Sequence, residues 1–231
     1  SLELGGKSPN IIFADVDVEE AARHACSSVF ANAGQDCCAR ARVIVERKLY
    51  PKLVEAMAAV AGAMKVGDPL SEQTEMGPLI SAAQRDRTER YIALGREEGA
   101  RYVCGGERPE GEGYFLRPAI FADARPGMRI VDEEIFGPMV VVIPFDTEAE
   151  AIAIANDSIY GLSGSLWTND LKRALRVARA VQTGVLSVNS SSSVHLQAPF
   201  GGFKQSGLGR ELGMHALEHY TEIKNVYFET N

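Results

Sequence analysis

The sequence predicts an α/β fold: a mainly parallel, open sheet flanked by helices. Three observations lead there. Short strand-like runs alternate along the chain with stretches of helical apolar spacing. No internal repeat is visible, and no low-complexity tract beyond the serines at 190–193. Hydrophobic residues make up 45% of the chain and charged residues 24%, the balance of a chain able to bury a core.

Each element has its own signal. Residues 11–13 read as a short buried strand. Residues 18–33 read as a helix, with Asp17 as cap and Glu19 and Glu20 in the first turn. A β-branched strand follows at 42–46. Leu53, Met57, Val60, Ala61 and Met64 mark a helix over 50–64. Residues 67–78 hold two prolines and two glycines and form a connection. A charged helix over 82–98 stops at Gly99. Tyr102 and Val103 begin a strand, and the polar, glycine-rich 105–113 forms a hairpin or surface turn. Strands follow at 118–121 and 139–144. Thr147 with Glu150 three residues on predicts a capping box for a helix over 147–155. Strands at 164–168 and 184–189 flank a helix at 171–181. Residues 223–228 read as a terminal strand without a following helix, whose edge needs a partner.

Composition removes several function classes. The 231 residues carry a net charge of -7, which disfavours duplex nucleic acid and anionic membrane surfaces as partners. No apolar run approaches the roughly 18 residues of a membrane span. Of four cysteines, Cys37 and Cys38 are adjacent, an arrangement rare in disulfide frameworks. A reducing, cytoplasmic setting is expected. The chain opens nine residues ahead of its first strand without an initiator methionine, as a fragment of a longer chain would.

Candidate chemistry begins at Cys37, in NAGQDCCARARV between a helix and a strand. Gly34 permits a tight path there, and adjacent amides can donate to an oxyanion. A cysteine thiolate attacks a carbonyl carbon well. Read from spacing alone, Cys37 and Cys38 are equally buried fillers. A zinc site from these cysteines and His24, His195, His215 or His219 lacks recognisable spacing, so no metal is expected. The candidate bases are those histidines and Glu3, a carboxylate beside two glycines in LELGG. Such a group activates water when its pKa is raised, or is a surface charge. In EEIFGPM, one carboxylate can accept from a ribose hydroxyl, and Phe136 can stack on a flat ring or fill core. The segment PFGGFKQSGLGRE matches no phosphate-loop pattern and reads as a tight turn.

Five blocks in order, LELGGKSPN at 2–10, FANAGQDCCA at 30–39, EEIFGP at 133–138, NDSIYGLSGS at 156–165 and PFGGFKQSGLGRE at 199–211, resemble the aldehyde dehydrogenase superfamily across nearly the whole chain. The resemblance implies that family's catalytic domain over 1–215 and a C-terminal oligomerisation segment over 216–231, without its coenzyme-binding domain. It implies Cys37 as nucleophile, with Cys38 a neighbour, and Glu3 as the base that activates water for deacylation. Glu134 is implied as ligand to a ribose hydroxyl and Phe136 as a packing residue beside the nicotinamide. Lys7 belongs to the first block without an assigned role. The glycines at 201–209 are implied as a turn shaping the rim of the site, and 190–197 as the loop that anchors substrate. The implied oxyanion donor in this chain is the Cys37 amide. The implied reaction is NAD- or NADP-dependent oxidation of a small-molecule aldehyde to an acid, through a thiohemiacetal and a thioester, in a homo-oligomeric enzyme, dimer or tetramer. A non-catalytic assembly module and an enzyme that passes the acyl group to coenzyme A are the alternatives. Glu3 favours hydrolysis. The small polar loop SSSSVHLQ points away from long apolar aldehydes.

Overall fold

In the computed structural model, which describes residues 1–230, the chain begins with β1 (Leu2–Glu3), β2 (Pro9–Ile12) and α1 (Val18–Phe30). Next come β3 (Arg42–Glu46), α2 (Tyr50–Ala63), α3 (Ala82–Glu97), β4 (Arg101–Cys104), β5 (Ala119–Ala122) and α4 (Arg129–Asp132). They are followed by β6 (Met139–Phe145), α5 (Glu148–Asn156), β7 (Tyr160–Gly161), β8 (Ser163–Trp167), α6 (Leu171–Ala180) and β9 (Val185–Val188). Two further short strands, β10 (Phe203–Lys204) and β11 (Gly207–Leu208), precede a 3-10 turn at Met214–His219.

The main sheet has seven strands in the order β4-β5-β6-β3-β2-β8-β9. Only β4 runs antiparallel to its neighbour; the remaining pairs are parallel. The expected α/β fold with a mainly parallel sheet is therefore the observed one. The parallel strands are covered on both faces, so they are apolar almost throughout. Val43 and Val45 pack with α1 and α2, whereas Ile44 between them packs with α3, α5 and α6 on the other side. That two-residue alternation sets which half of each strand meets which helical layer.

Local signals hold where sequence reading placed them. The Asp17 carboxylate accepts the Glu20 N–H at 2.8 Å and starts α1. The segment 105–113 lies within the connection, 105–118, that joins the antiparallel β4 and β5. The capping box is half formed. Thr147 Oγ1 accepts the Glu150 N–H at 3.2 Å, but the Glu150 carboxylate accepts from Asp146, one residue ahead of the cap.

Two expectations are corrected. Residues 223–228 form no strand: among the described residues no neighbouring strand lies against them, and Ile223, Tyr227 and Phe228 are exposed. Backbone groups in an extended segment need a partner edge before they form a ladder. The glycine-rich stretch is not a simple turn. It forms β10, paired with β7, and β11, paired with β1. Asn231, the last residue of the expected 216–231 segment, lies outside the described residues. Among the described residues no helix is long and apolar enough to cross a membrane.

A buried arginine ties the sheet to a helix end. Arg42, at the start of β3, donates to the Ile154 and Ala155 carbonyls at 2.9 Å each and to the Lys7 carbonyl at 2.9 Å. It thereby satisfies carbonyls in the last turn of α5, which no helical N–H can reach. Burial pulls its pKa down to about 10, so the guanidinium stays charged near neutral pH.

Candidate active site

All four candidate residues lie on segments entering the amino ends of parallel strands. Glu3 precedes β2, Cys37 precedes β3, and Glu134 and Phe136 precede β6. The sheet thus gathers pieces of sequence far apart into one rim.

The Cys37 segment is held in a tight, left-handed path. The α1 helix ends at Phe30, and Asn32 and Ala33 follow at φ 56° and 53°. The Asn32 side chain donates to the Gln35 carbonyl at 2.9 Å, and Gln35 returns a bond to the Asn32 carbonyl at 3.2 Å. Gly34, at φ 72°, presses on Gly137, where a Cβ would overlap the carbonyl. The expectation that Gly34 allows a tight path is met, and that path packs the cysteine turn against the loop bearing Glu134. The Cys38 N–H is taken by Asp36 Oδ1 at 2.7 Å. Among the described residues the Cys37 N–H meets no acceptor. Of the two adjacent amides, only that of Cys37 is free to meet a substrate oxygen.

Glu3 is placed by β1. Its strand pairs with β11, the Leu4 N–H donates to the Ser206 carbonyl at 2.9 Å, and the Ser206 hydroxyl donates to the Gly5 carbonyl at 2.7 Å. Glu3 is exposed. It shares a cavity of about 350 Å³ with Cys37, Cys38, Ser28, Ser193 and Phe200. The structure therefore brings Glu3 and Cys37 to one space. His195, His215 and His219 are exposed, and His24 stacks on Trp167 at 4.7 Å. None of the four lines that cavity.

The two adjacent thiols shift each other's pKa in opposite directions. The neighbouring Cys38 thiol, burial and the Asp36 and Glu3 carboxylates push the Cys37 pKa up. The Cys37 thiol pulls that of Cys38 down, helped by Arg40 and the Ser163 hydroxyl. Cys37 is the more accessible of the two, Cys38 being buried. The titrations of the two thiols therefore bear on each other. Donor atoms of Asp36, Cys37 and Cys38 lie within 4.8 Å of one another. Sequence reading did not foresee that cluster as a metal site. Its three donors are consecutive residues, Asp36 already accepting the Cys38 N–H, and they are one short of a tetrahedral set.

Glu134 and Phe136 line a narrow neighbouring cleft together with Gly6, Lys7 and Asp36, and Asp36 borders both spaces. One Glu134 oxygen accepts the Gly6 N–H at 2.9 Å. The carboxylate comes so close to Gly5 that a Cβ there would overlap it. Phe136 sits at φ 61°, a region costly for a bulky residue. Gln84 holds it there by donating to its carbonyl at 2.6 Å, while Arg87 donates to the Glu134 carbonyl at 2.8 Å. The Phe136 residue is 40% exposed. A carboxylate with acceptor capacity left and an accessible aromatic face fit a ribose and a flat ring.

Three contributors escaped sequence reading. Ser206 is fully buried and braces Gly5. Arg40 and Arg42 are each 1% exposed beside the cysteine turn. The alternation in ARARV, two arginines ahead of an apolar strand, was the one local sign, and it does not distinguish buried from surface arginines.

Comparisons with known proteins agree with this arrangement. The model of the aldehyde dehydrogenase family matches residues 1–226. An aldehyde dehydrogenase of Emericella nidulans is 46% identical over 99% of this chain and 46% of its own length. A betaine aldehyde dehydrogenase of Bacillus subtilis is 45% identical over 100% of this chain and 48% of its own. A solved aldehyde dehydrogenase of Bacillus cereus, described as a complex with NAD+, superposes with a TM-score of 0.96 and 47% identity. It covers 99% of this chain and 47% of the solved one. The chain spans about half the length of the curated relatives it matches.

Proposed function

The chain belongs to the aldehyde dehydrogenase family, and from that premise we propose that it carries the nucleophile and base of an NAD- or NADP-dependent aldehyde oxidation. The observation that carries this reading is the shared cavity of Cys37 and Glu3. Cys37 attacks the carbonyl carbon of a small aldehyde as thiolate. The free Cys37 N–H donates to the resulting oxyanion. Glu134 and Phe136 would hold the ribose and nicotinamide of the dinucleotide, which, when bound, supplies the acceptor for the hydride leaving the aldehyde carbon. Cys37 is then left as a thioester. Glu3 takes a proton from water, the water oxygen attacks the acyl carbon, and the carboxylic acid departs as Cys37 regains its negative charge.

Residues 1–215 make up the catalytic part in this reading and 216–231 an assembly segment. Exposed Ile223, Tyr227 and Phe228 give that segment an apolar surface suited to another subunit. The base Glu3 supports hydrolysis over transfer to coenzyme A. The test is aldehyde-dependent cofactor reduction by the full-length protein containing this chain, with Cys37→Ala as control. Activity that survives Cys37→Ala, or that appears only with coenzyme A present, overturns the assignment.

A further inference from the structure

A guanidinium is buried beneath the cysteine pair, its hydrogen bonds going to hydroxyls and carbonyls rather than to a carboxylate. Arg40 Nε donates to Ser165 Oγ at 2.8 Å, Nη1 to the Cys38 carbonyl, and Nη2 to Ser193 Oγ at 2.6 Å and the Ser191 carbonyl at 3.4 Å. Among the described residues no carboxylate forms an ion pair with it. A buried charge is costly unless an opposite charge is near. The groups that offset Arg40 are the Cys38 sulfur and Asp36.

The surrounding hydroxyls extend the contact from Arg40 to a second serine. Ser193 Oγ lies 2.8 Å from Ser163 Oγ, and the Ser163 hydroxyl favours a thiolate at Cys38. Arg40 thus bridges the cysteine turn and the serine wall at 191–193, and both line the same cavity. The charged groups facing the pair are Asp36 on its own turn, Glu3 from β1 and Arg40. The two carboxylates oppose a thiolate there; only Arg40 favours one.

We propose that Arg40 is a positioning residue: it stabilises negative charge on the Cys37 and Cys38 thiols and, through Ser193, fixes the serine wall of the substrate cavity. This rests on the reading of Cys37 as nucleophile, but it makes a claim about thiol chemistry that needs neither aldehyde nor cofactor. A merely structural Arg40 would tie the two loops together and leave the pH at which the thiols react unchanged.

The test is the pH dependence of iodoacetamide alkylation in the full-length protein containing this chain, with adducts at Cys37 and Cys38 mapped by mass spectrometry. Arg40→Met should move the midpoint upward by about one pH unit, the size expected for losing a close charge. At pH values below the midpoint, alkylation should slow by about tenfold. Arg40→Lys keeps the charge and should restore more than half of the shift. A folded Arg40→Met variant with an unchanged midpoint overturns the proposal, as does Arg40→Lys shifted as far as Arg40→Met. Should Arg40→Met not fold, Ser163→Ala removes the hydroxyl that favours a thiolate at Cys38 and must raise the midpoint in the same direction; an unchanged midpoint there also overturns it. Failure of aldehyde oxidation with a normal alkylation profile would instead count against Cys37 as nucleophile.

Discussion

Ser206 braces Gly5: its hydroxyl donates to the Gly5 carbonyl at 2.7 Å while accepting the Gly161 N–H at 2.9 Å. Ser206 and Gly161 are buried, so the Gly161 N–H has no water as a substitute, while Gly5 is half-buried. Two residues before Gly5 stands Glu3, and one residue after it Gly6 donates to Glu134. A single hydroxyl therefore stiffens the segment that bears the candidate base and contacts the candidate ribose ligand.

Ser206→Ala is expected to destabilise the fold by about 1–3 kcal/mol, the cost of orphaning a buried donor. It should also slow deacylation more than acylation, because β1 loses its brace while the Cys37 turn keeps all its bonds. Thermal unfolding and burst kinetics of the full-length protein measure the two effects. Equal losses in both kinetic phases would mean that Ser206 supports the site as a whole.

This bracing was not legible in the sequence, and its reason is distance. Leu2 pairs with Leu208, and two-residue strands carry no periodicity to read. The main sheet was legible because Val43, Ile44 and Val45 announce a strand buried on both faces. The helix start at Asp17 was legible because capping is local. The strand expected at 223–228 shows the reverse: its bulky residues match a strand pattern, yet a ladder needs a neighbouring edge that no local pattern supplies. At the site, Cys37 and Glu3 were reached through family resemblance, since spacing alone left each open to a plain structural reading. The placement of both at the amino ends of strands depends on the sheet order, which brings β2, β3 and β6 together from across the chain.

Arg42→Met should cost about 3 kcal/mol or more, because it leaves the Ile154 and Ala155 carbonyls unpaired in the interior. Arg42→Lys should recover only part, since an ammonium cannot span these carbonyls and that of Lys7 as the planar fork does. Urea unfolding gives the stability, and hydrogen exchange should show the loss concentrated at the end of α5. A uniform rise in exchange across the sheet would contradict a role as helix cap.

Glu3→Gln should preserve a rapid first turnover and depress steady-state turnover by about 100-fold or more, the scale of a lost general base. The amide keeps the shape of the side chain but cannot accept the proton of water. Rapid-mixing measurement of reduced cofactor separates the phases. Disappearance of the burst would place Glu3 in activation of Cys37 instead, in line with its closeness to that thiol.

Lys7 supplies a prediction in pH. It is 2% exposed, and burial, reinforced by Arg42, pulls its pKa down to about 7 despite the opposing pull of Glu134. Between that value and the ordinary 10.5, the unfolded chain binds a proton that the folded chain sheds. Stability from this group therefore rises with pH across that window, and the full penalty for burying the cation is present below about pH 7. Lys7→Met removes the charge and nearly keeps the length of the side chain. The variant should melt higher than the parent at about pH 6, and the gap should shrink as the pH approaches about 10. Melting curves of both proteins at these two pH values decide the matter. A gap that does not change with pH, or a parent that melts higher at the acid end, would mean that the Lys7 ammonium has a stabilising partner in the fold.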